Sequence, residues 1–259
     1  EASAEREMNT DTAWEAWGRQ DPYFGVITNP KFRSSELTAE SRKEFFDSGQ
    51  AHADYVMQMI RLHIGASFQP RSILDFGCGV GRLLVPFAKH APEVVGMDVS
   101  NAMLQEASKN CNEHGIENVQ LLLSDDDLSK LTRQFDLIHS YIVFQHIPPD
   151  RGRTIFGRLL GHILPGGVGV FHFCYSKSRY VESHGVAPLP APGNQSDVVQ
   201  PSQPVTPLPL GKDPEMQMNC YHLNEVMFLM QRSGVSRFHV EFTDHGGELG
   251  VLVFFQKLS

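Results

Sequence analysis

Cysteine is scarce in this chain of 259 residues: Cys78, Cys111, Cys174 and Cys220 are the full set, and no two are spaced as C-x-x-C. That spacing excludes a disulfide framework and a zinc knuckle, and it fits a reducing compartment, so a cytoplasmic protein is expected. A long apolar run is missing as well. No stretch approaches the roughly 20 residues that span a bilayer, and no charged-then-apolar leader pattern opens the sequence, so no membrane partner is expected. Positive charge is in deficit, with 22 Lys and Arg against 30 Asp and Glu and a formal net charge of -8. A protein built mainly to grip a nucleic-acid backbone carries a basic face, so nucleic acid is not among the expected partners. The 12 histidines include no H-x-x-x-H pair beside a carboxylate on a helix, and no metal is expected.

What is present is a hydrophobic fraction of 41% and a charged fraction of 20%, enough for one large α/β domain with a full core. The chain is organised around Ser72-Ile73-Leu74-Asp75-Phe76-Gly77-Cys78-Gly79-Val80-Gly81-Arg82. Apolar residues lead into an acidic residue and three glycines spaced G-x-G-x-G, after which Leu83, Leu84, Phe87 and Ala88 recur at helical spacing. The pattern predicts a strand, a tight glycine turn and a helix, with the backbone able to approach a ligand where a Cβ would collide. A P-loop needs Lys and then Ser or Thr after its last glycine, and here Arg82-Leu83 follows Gly81. A dinucleotide fingerprint reads G-x-G-x-x-G with a later acidic residue. Here the glycines are one residue tighter and Asp75 precedes them, which favours a ligand bearing positive charge.

Residues 73–81, followed by Val94-Val95-Gly96-Met97-Asp98, resemble the first two motifs of class I S-adenosylmethionine-dependent methyltransferases. The resemblance implies a seven-stranded, mostly parallel sheet with helices on both faces and an antiparallel last strand. It also implies S-adenosylmethionine as cofactor, with the glycine turn under its methionine part and Asp98, 17 residues after Gly81, on both ribose hydroxyls. A carboxylate can accept both of those hydrogen bonds. In the same family an acidic residue after the third strand meets the adenine amino group, a place that either Asp125 or Asp126 can take. Ser140 and Tyr141, at the end of the fourth strand, would touch the cofactor by position. The cofactor-binding set expected from the resemblance is therefore Asp75, Gly77, Cys78, Gly79, Gly81, Asp98, Val99, Met103, Asp125, Asp126, Ser140 and Tyr141.

The alternation of the chain places strands at 94–98, 119–123, 135–141 and 168–175, with helices at 100–114 and 150–162 and a Leu164-Pro165-Gly166-Gly167 turn before the fifth strand. Residues 1–65 carry aromatics among turn residues and then a helical stripe from Glu36 to His63, and they are expected to form an N-terminal helical cap on a methyltransferase domain at 66–259. Within that domain residues 176–215 hold eight of the chain's 16 prolines, a density that forbids helix and most strand, and are expected to form a proline-rich lid loop. After a helix from Tyr221 to Ser233, the stretches at 238–242 and 251–255 are expected to close the sheet as a hairpin whose turn carries His245.

Transfer of a methyl group from a sulfonium is an in-line displacement that needs positioning, exclusion of water and, for some acceptors, a base. His146, His172 and His245 are the expected base candidates. Tyr23, Phe24, Tyr141, Gln145, Tyr175 and His245 are the expected acceptor contacts, with aromatic faces able to stabilise a cationic product. The expected activity is methyl transfer to oxygen, nitrogen or sulfur of a small-molecule acceptor by a monomer or homodimer. A protein that binds the cofactor without catalysis, or a protein or peptide methyltransferase, is the alternative.

Overall fold

The computed structural model describes residues 10–178 and 213–258. Seven strands, β1 (Ser72–Phe76), β2 (Glu93–Asp98), β3 (Val119–Leu123), β4 (Phe135–Ser140), β5 (Ile163–Lys177), β6 (Val235–Asp244) and β7 (Glu248–Lys257), form one sheet in the order β3-β2-β1-β4-β5-β7-β6. The first five run parallel, and β7 is antiparallel to both β5 and β6. This is the sheet expected from the sequence: β7 is the antiparallel strand, and β6, which pairs with β7, runs in the same direction as β1–β5.

Successive strand residues point to opposite faces, and the apolar residues on each face collect into separate cores. Ile73, Val94, Leu137, Val168 and Phe254 pack with α3 (Ala39–His63) and α4 (Leu84–Phe87), while Leu74, Val95, Ile138, Phe171 and Phe255 pack with α6 (Pro149–Gly161) and α7 (Leu223–Arg232). The Pro-Gly-Gly segment expected to precede the fifth strand instead lies within β5. It is a bulge there: Phe135 pairs with Ile163 and Leu137 with Val168, so the longer stretch on β5 absorbs the shift. The helix after the glycine turn is a single turn, α4, with Pro86 in a first-turn position where no backbone donor is needed.

The N-terminal residues are held by polar capping as well as apolar burial. α1 (Thr10–Gln20) sends Glu15 to the start of α5 (Asn101–Glu113), where one carboxylate oxygen accepts from Ser100 Oγ at 2.8 Å and Ala102 N at 3.1 Å. Ser100 Oγ itself accepts from Met103 N at 3.1 Å and so caps this helix. Trp17, Phe32, Phe45 and Phe46 form a third apolar cluster with Val80 and Val85 at the glycine turn and with Met103 of α5. α3 begins on a capping box, in which Thr38 Oγ1 accepts from Ser41 N and Ser41 Oγ accepts from Thr38 N.

Gly49 is where α3 crosses the glycine turn, and a Cβ there would stand 2.3 Å from the backbone oxygen of Arg82. Gly49→Ala gains about 1 kcal/mol of helix propensity, but forcing two backbones apart costs about 1–3 kcal/mol or more. A net loss of stability is expected, read as a lower denaturation midpoint. An unchanged midpoint would show that α3 slides freely over the turn.

The proline-rich stretch expected as a lid lies, apart from its ends, outside the described residues. Among the described residues no helix is long and apolar enough to cross a membrane.

Candidate active site

The C-terminal ends of the parallel strands set out the polar groups in sheet order: Asp125 and Asp126 after β3, Asp98 ending β2, Asp75 on β1, and Tyr141 after β4. All five line one cavity of about 480 Å³, within the ordinary size range for small-molecule sites. Its roof is Thr10, Asp11 and Trp14 of α1 together with residues 25–28, and the turn between β6 and β7 adds His245.

The glycine turn is built into this cavity by its neighbours. Gly77 N and Cys78 N donate to the Met97 carbonyl at 2.7 and 3.1 Å, tying the turn to β2. Gly79 N donates to Asp98 Oδ2 at 2.8 Å, and Ser100 N donates to Asp98 Oδ1 at 2.9 Å. Gly77 and Gly79 adopt φ of 76° and 52°, the left-handed region that a side chain disfavours. A Cβ at Gly77 would meet Val143 Cγ2 at 2.3 Å. Gly81, also left-handed at φ 82°, sits behind the turn against Ala107 and does not line the cavity.

Burial pushes the Asp98 carboxyl up to about 6, against the pull of the Ser100 and Gly79 amides. Asp75 is buried, and its Oδ1 lies 2.8 Å from Nδ1 of the equally buried His139, whose Nε2 is 3.1 Å from His52 Nε2. After β3, Asp125 accepts from Ser129 N at 2.9 Å and from the Ser129 hydroxyl, while Asp126 takes Arg151 Nε and Nη2. Arg151 also binds Asp11 of the roof through Nη1 at 2.7 Å, so one guanidinium straps α1 to the loop after β3.

Tyr141 leads into Ile142, which is held at φ 57°. A β-branched residue there stores strain of about 1–3 kcal/mol. Tyr141 Oη lies 3.4 Å from His245 Nε2, the two rings meeting edge to face with centroids 5.9 Å apart. Burial lowers the His245 imidazole below its usual 6.5, partly offset by Asp244. His146 also lines the cavity, with Trp14 against its ring, but its Nδ1 is 2.8 Å from the Gln217 carbonyl and burial pushes it down to about 4. Gln145 lines the cavity beside it.

Several expected contacts stand elsewhere. Tyr23 is in the third core, with its hydroxyl 2.8 Å from Asn110 Oδ1 and 3.0 Å from Glu106. Phe24 is buried under the Arg33 guanidinium, 3.5 Å from its ring centroid. The short helix α2 (Pro22–Val26) turns both aromatics inward, so Gly25, Val26, Ile27 and Thr28 face the cavity in their place. Tyr175 packs near Phe242 on the outer part of the sheet. His172 is fully buried on β5 with Nε2 2.8 Å from Thr243 Oγ1, and burial pushes it down to about 3. It does not line the cavity but stands behind its wall, its ring edge to face with those of Tyr141 and His245 at 5.4 and 5.1 Å; Ser140, whose hydroxyl is buried without a partner, does not line it either. Conversely, Cys78, Val99 and Met103 do line the cavity, and so do Trp14, Ser48, Arg82, Met216 and Met218, which the motifs do not single out. Arg82 carried a signal: it is the lone charge in the apolar run after the glycine turn.

Two carboxylates and a close-approach turn in a half-enclosed cavity suit a ligand that combines hydroxyl donors with positive charge, and so the residues present fit the cofactor implied by the motifs. A model of a methyltransferase domain matches residues 73–167, the stretch from β1 to the start of β5. Over 131 residues the chain is 30% identical to a ubiquinone biosynthesis O-methyltransferase of Alkalilimnicola ehrlichii, covering 50% of each protein. It is 26% identical over 128 residues to a 23S rRNA (uracil(1939)-C(5))-methyltransferase of Marinomonas, covering 44% of this chain and 29% of that one. The chain thus spans half or less of these curated relatives. The magnesium protoporphyrin IX methyltransferase of Synechocystis with bound S-adenosylmethionine superposes with a TM-score of 0.60 at 15% identity, over 97% of this chain and 99% of that one. At that identity the likeness is one of fold.

Proposed function

We propose that this chain, a class I S-adenosylmethionine-dependent methyltransferase, transfers a methyl group to a small-molecule acceptor held between Tyr141 and His245. The observation that carries the reading is the shared cavity: the groups suited to the cofactor lie at the ends of β1, β2 and β3, and a polar wall of Tyr141, Gln145 and His245 lies at the far end.

Asp98 would accept the ribose hydroxyls, the glycine turn would let the backbone close on the methionine part, and the second oxygen of Asp75 would receive the ammonium. Ser124, Asp125 and Asp126 stand where the adenine amino group would be met. The cofactor supplies a methyl group on a sulfonium, already a good leaving group, so the protein has to position the acceptor and keep water out. α1 and residues 25–28 act as the cap that excludes water. The acceptor loses its proton to His245, which burial keeps neutral at pH 7; Tyr141 Oη, 3.4 Å from Nε2 across the pocket, gives up that nitrogen to the acceptor as it enters. His146 is too weak a base and is anchored through Nδ1, so it shapes the cavity instead.

A panel of hydroxyl, amine, thiol and acid acceptors, assayed by S-adenosylhomocysteine release, tests the reading. Turnover on an RNA transcript and on none of the small molecules would replace the acceptor class, and cofactor binding without any turnover would leave a binding protein. With an acceptor in hand and the cofactor held saturating at every pH, kcat/KM for the acceptor is expected to fall on the acid side, below the usual histidine value of 6.5, because His245 must be neutral to act. His245→Gln should lower kcat by about 100-fold and flatten that acid limb. A retained limb would assign the proton to another group.

A further inference from the structure

The sheet ends on β6, and among the described residues that end is open. β6 pairs there with β7 alone, so along its 10 residues the outer row of backbone donors and acceptors faces away from the protein. The hairpin decides which residues own that row. His245 N donates to the Glu248 carbonyl at 3.1 Å, which closes the turn, and the alternation of an antiparallel ladder then turns the backbone groups of Asp244, Phe242, Val240 and Phe238 outward. The side chains of Phe238, Val240 and Phe242 share the face of the sheet that carries α7, and they are incompletely covered: Phe242 is 81% exposed, Phe238 45%, and Phe228 of α7 60%. The usual devices that blunt an edge are few here. β6 holds neither Lys nor Pro, and its one break in register lies at the start, between Val235 and Phe238. The opposite edge strand, β3, is half as long, with 5 residues.

We propose that β6 is the interface of a homodimer, in which two copies pair antiparallel about a two-fold axis at Val240 and their sheets join into one. In that register Val240 faces Val240 and Phe238 faces the second copy's Phe242, all through residues whose outward backbone groups suit a hydrogen-bonded pair. The other face is matched in charge. His239 Nε2 already lies 3.2 Å from Glu241 Oε1 of its own strand, and in the dimer it also stands opposite the second copy's Glu241, with Arg237 diagonal to that carboxylate. Sliding the strands by two residues spoils the match: one direction sets Glu241 against Glu241, and the other leaves Phe242 facing Ser236. Apolar and charged residues thus complement themselves under one rotation, which is the condition for an isologous contact between identical chains. β6 leads into the turn that carries His245, so joining the edges would also brace that wall of the cavity.

Sedimentation equilibrium and hydrogen exchange on the full chain test the pairing. The parent is expected at twice the chain mass in the micromolar range, with the amides of Phe238, Val240 and Phe242 exchanging more slowly in concentrated than in dilute protein. Phe242→Glu, at a side chain already exposed, should raise the dimer dissociation constant at least about 100-fold and leave circular dichroism unchanged. Leu123→Glu, on β3 at the far edge, should leave the dimer as tight as the parent's. Val240→Cys reads the register: mild oxidation should link two copies through residue 240, beyond any linkage by the parent's own cysteines. A parent that stays monomeric, a dimer that Phe242→Glu does not weaken, or a dimer that Val240→Cys does not link would overturn the inference. So would a monomer whose three amides exchange slowly at every dilution, because another segment of the same chain would then cover the edge. None of these readouts involves cofactor or acceptor, so they stand apart from the methyltransferase reading.

Discussion

Asp98→Ala is expected to weaken S-adenosylhomocysteine binding by at least about 100-fold, since two hydrogen bonds to a charged acceptor are together worth about 3 kcal/mol or more. The carboxylate also holds the turn in place. Its oxygens already accept from Gly79 N and Ser100 N, so its loss loosens the turn it anchors. A measurement on the unmodified protein separates the two effects. Asp98 is pushed up to about 6 in the ligand-free fold, so below that value it is protonated and accepts hydroxyls poorly. Affinity should therefore be constant at pH 7 to 8 and fall through pH 6, approaching about tenfold per unit, with proton release on binding near pH 6. The stability of the ligand-free protein moves the opposite way. A carboxyl raised on folding contributes most below its unfolded value near 4 and loses that contribution as pH climbs through 6. Flat affinity from pH 5 to 8 would remove Asp98 from the site.

Gly79→Val is expected to abolish cofactor binding and leave the fold standing. At φ 52° a β-branched residue costs about 1–2 kcal/mol, and its Cβ would lie 2.8 Å from Val26 Cγ2 on the facing segment. The larger effect is on the cavity, because the methyl groups would occupy space that the turn keeps open for a ligand. Circular dichroism should keep its parent shape, with a melting temperature lowered by several degrees, while titration with S-adenosylhomocysteine gives no heat. Parent affinity in this variant would refute the placement of the ligand over the turn.

These two residues were legible because their signal is local. The glycine spacing, the acid before it and the acid ending the next strand all fall within 26 residues, from Ile73 to Asp98, and the sheet order follows from strands and helices that alternate along the chain. Tyr23 and Phe24 misled for a physical reason. Aromatics among turn residues do signal packing, but only the direction of α2 decides whether they meet a ligand or a core, and that is set by Asn110 and Phe45 far along the chain or on another helix. His172 was a similar case: a strand end near the site is recognisable, but alternation put its ring against Thr243. Arg151 could not be found from sequence at all, since Asp11 and Asp126 reach it across 140 and 25 positions. The bulge at Pro165-Gly166 shows the remaining weakness: residues that punctuate a turn also serve to bend a strand.

The cavity walls come from opposite ends of the chain, and this sets an order of assembly. During synthesis the strands that carry Asp75, Asp98 and Asp126 leave the ribosome well before His245, and Asp11 must wait about half the length of the chain for Arg151. The β1-β2-β3 portion can form early from near neighbours, whereas the roof and the β6–β7 turn rely on contacts of long sequence separation, which form late because loop closure is costly. A nascent or truncated chain would therefore shape the side of the cavity that carries Asp75, Asp98 and Asp126 before the side that carries His245, and the proposed chemistry waits on the β6–β7 hairpin.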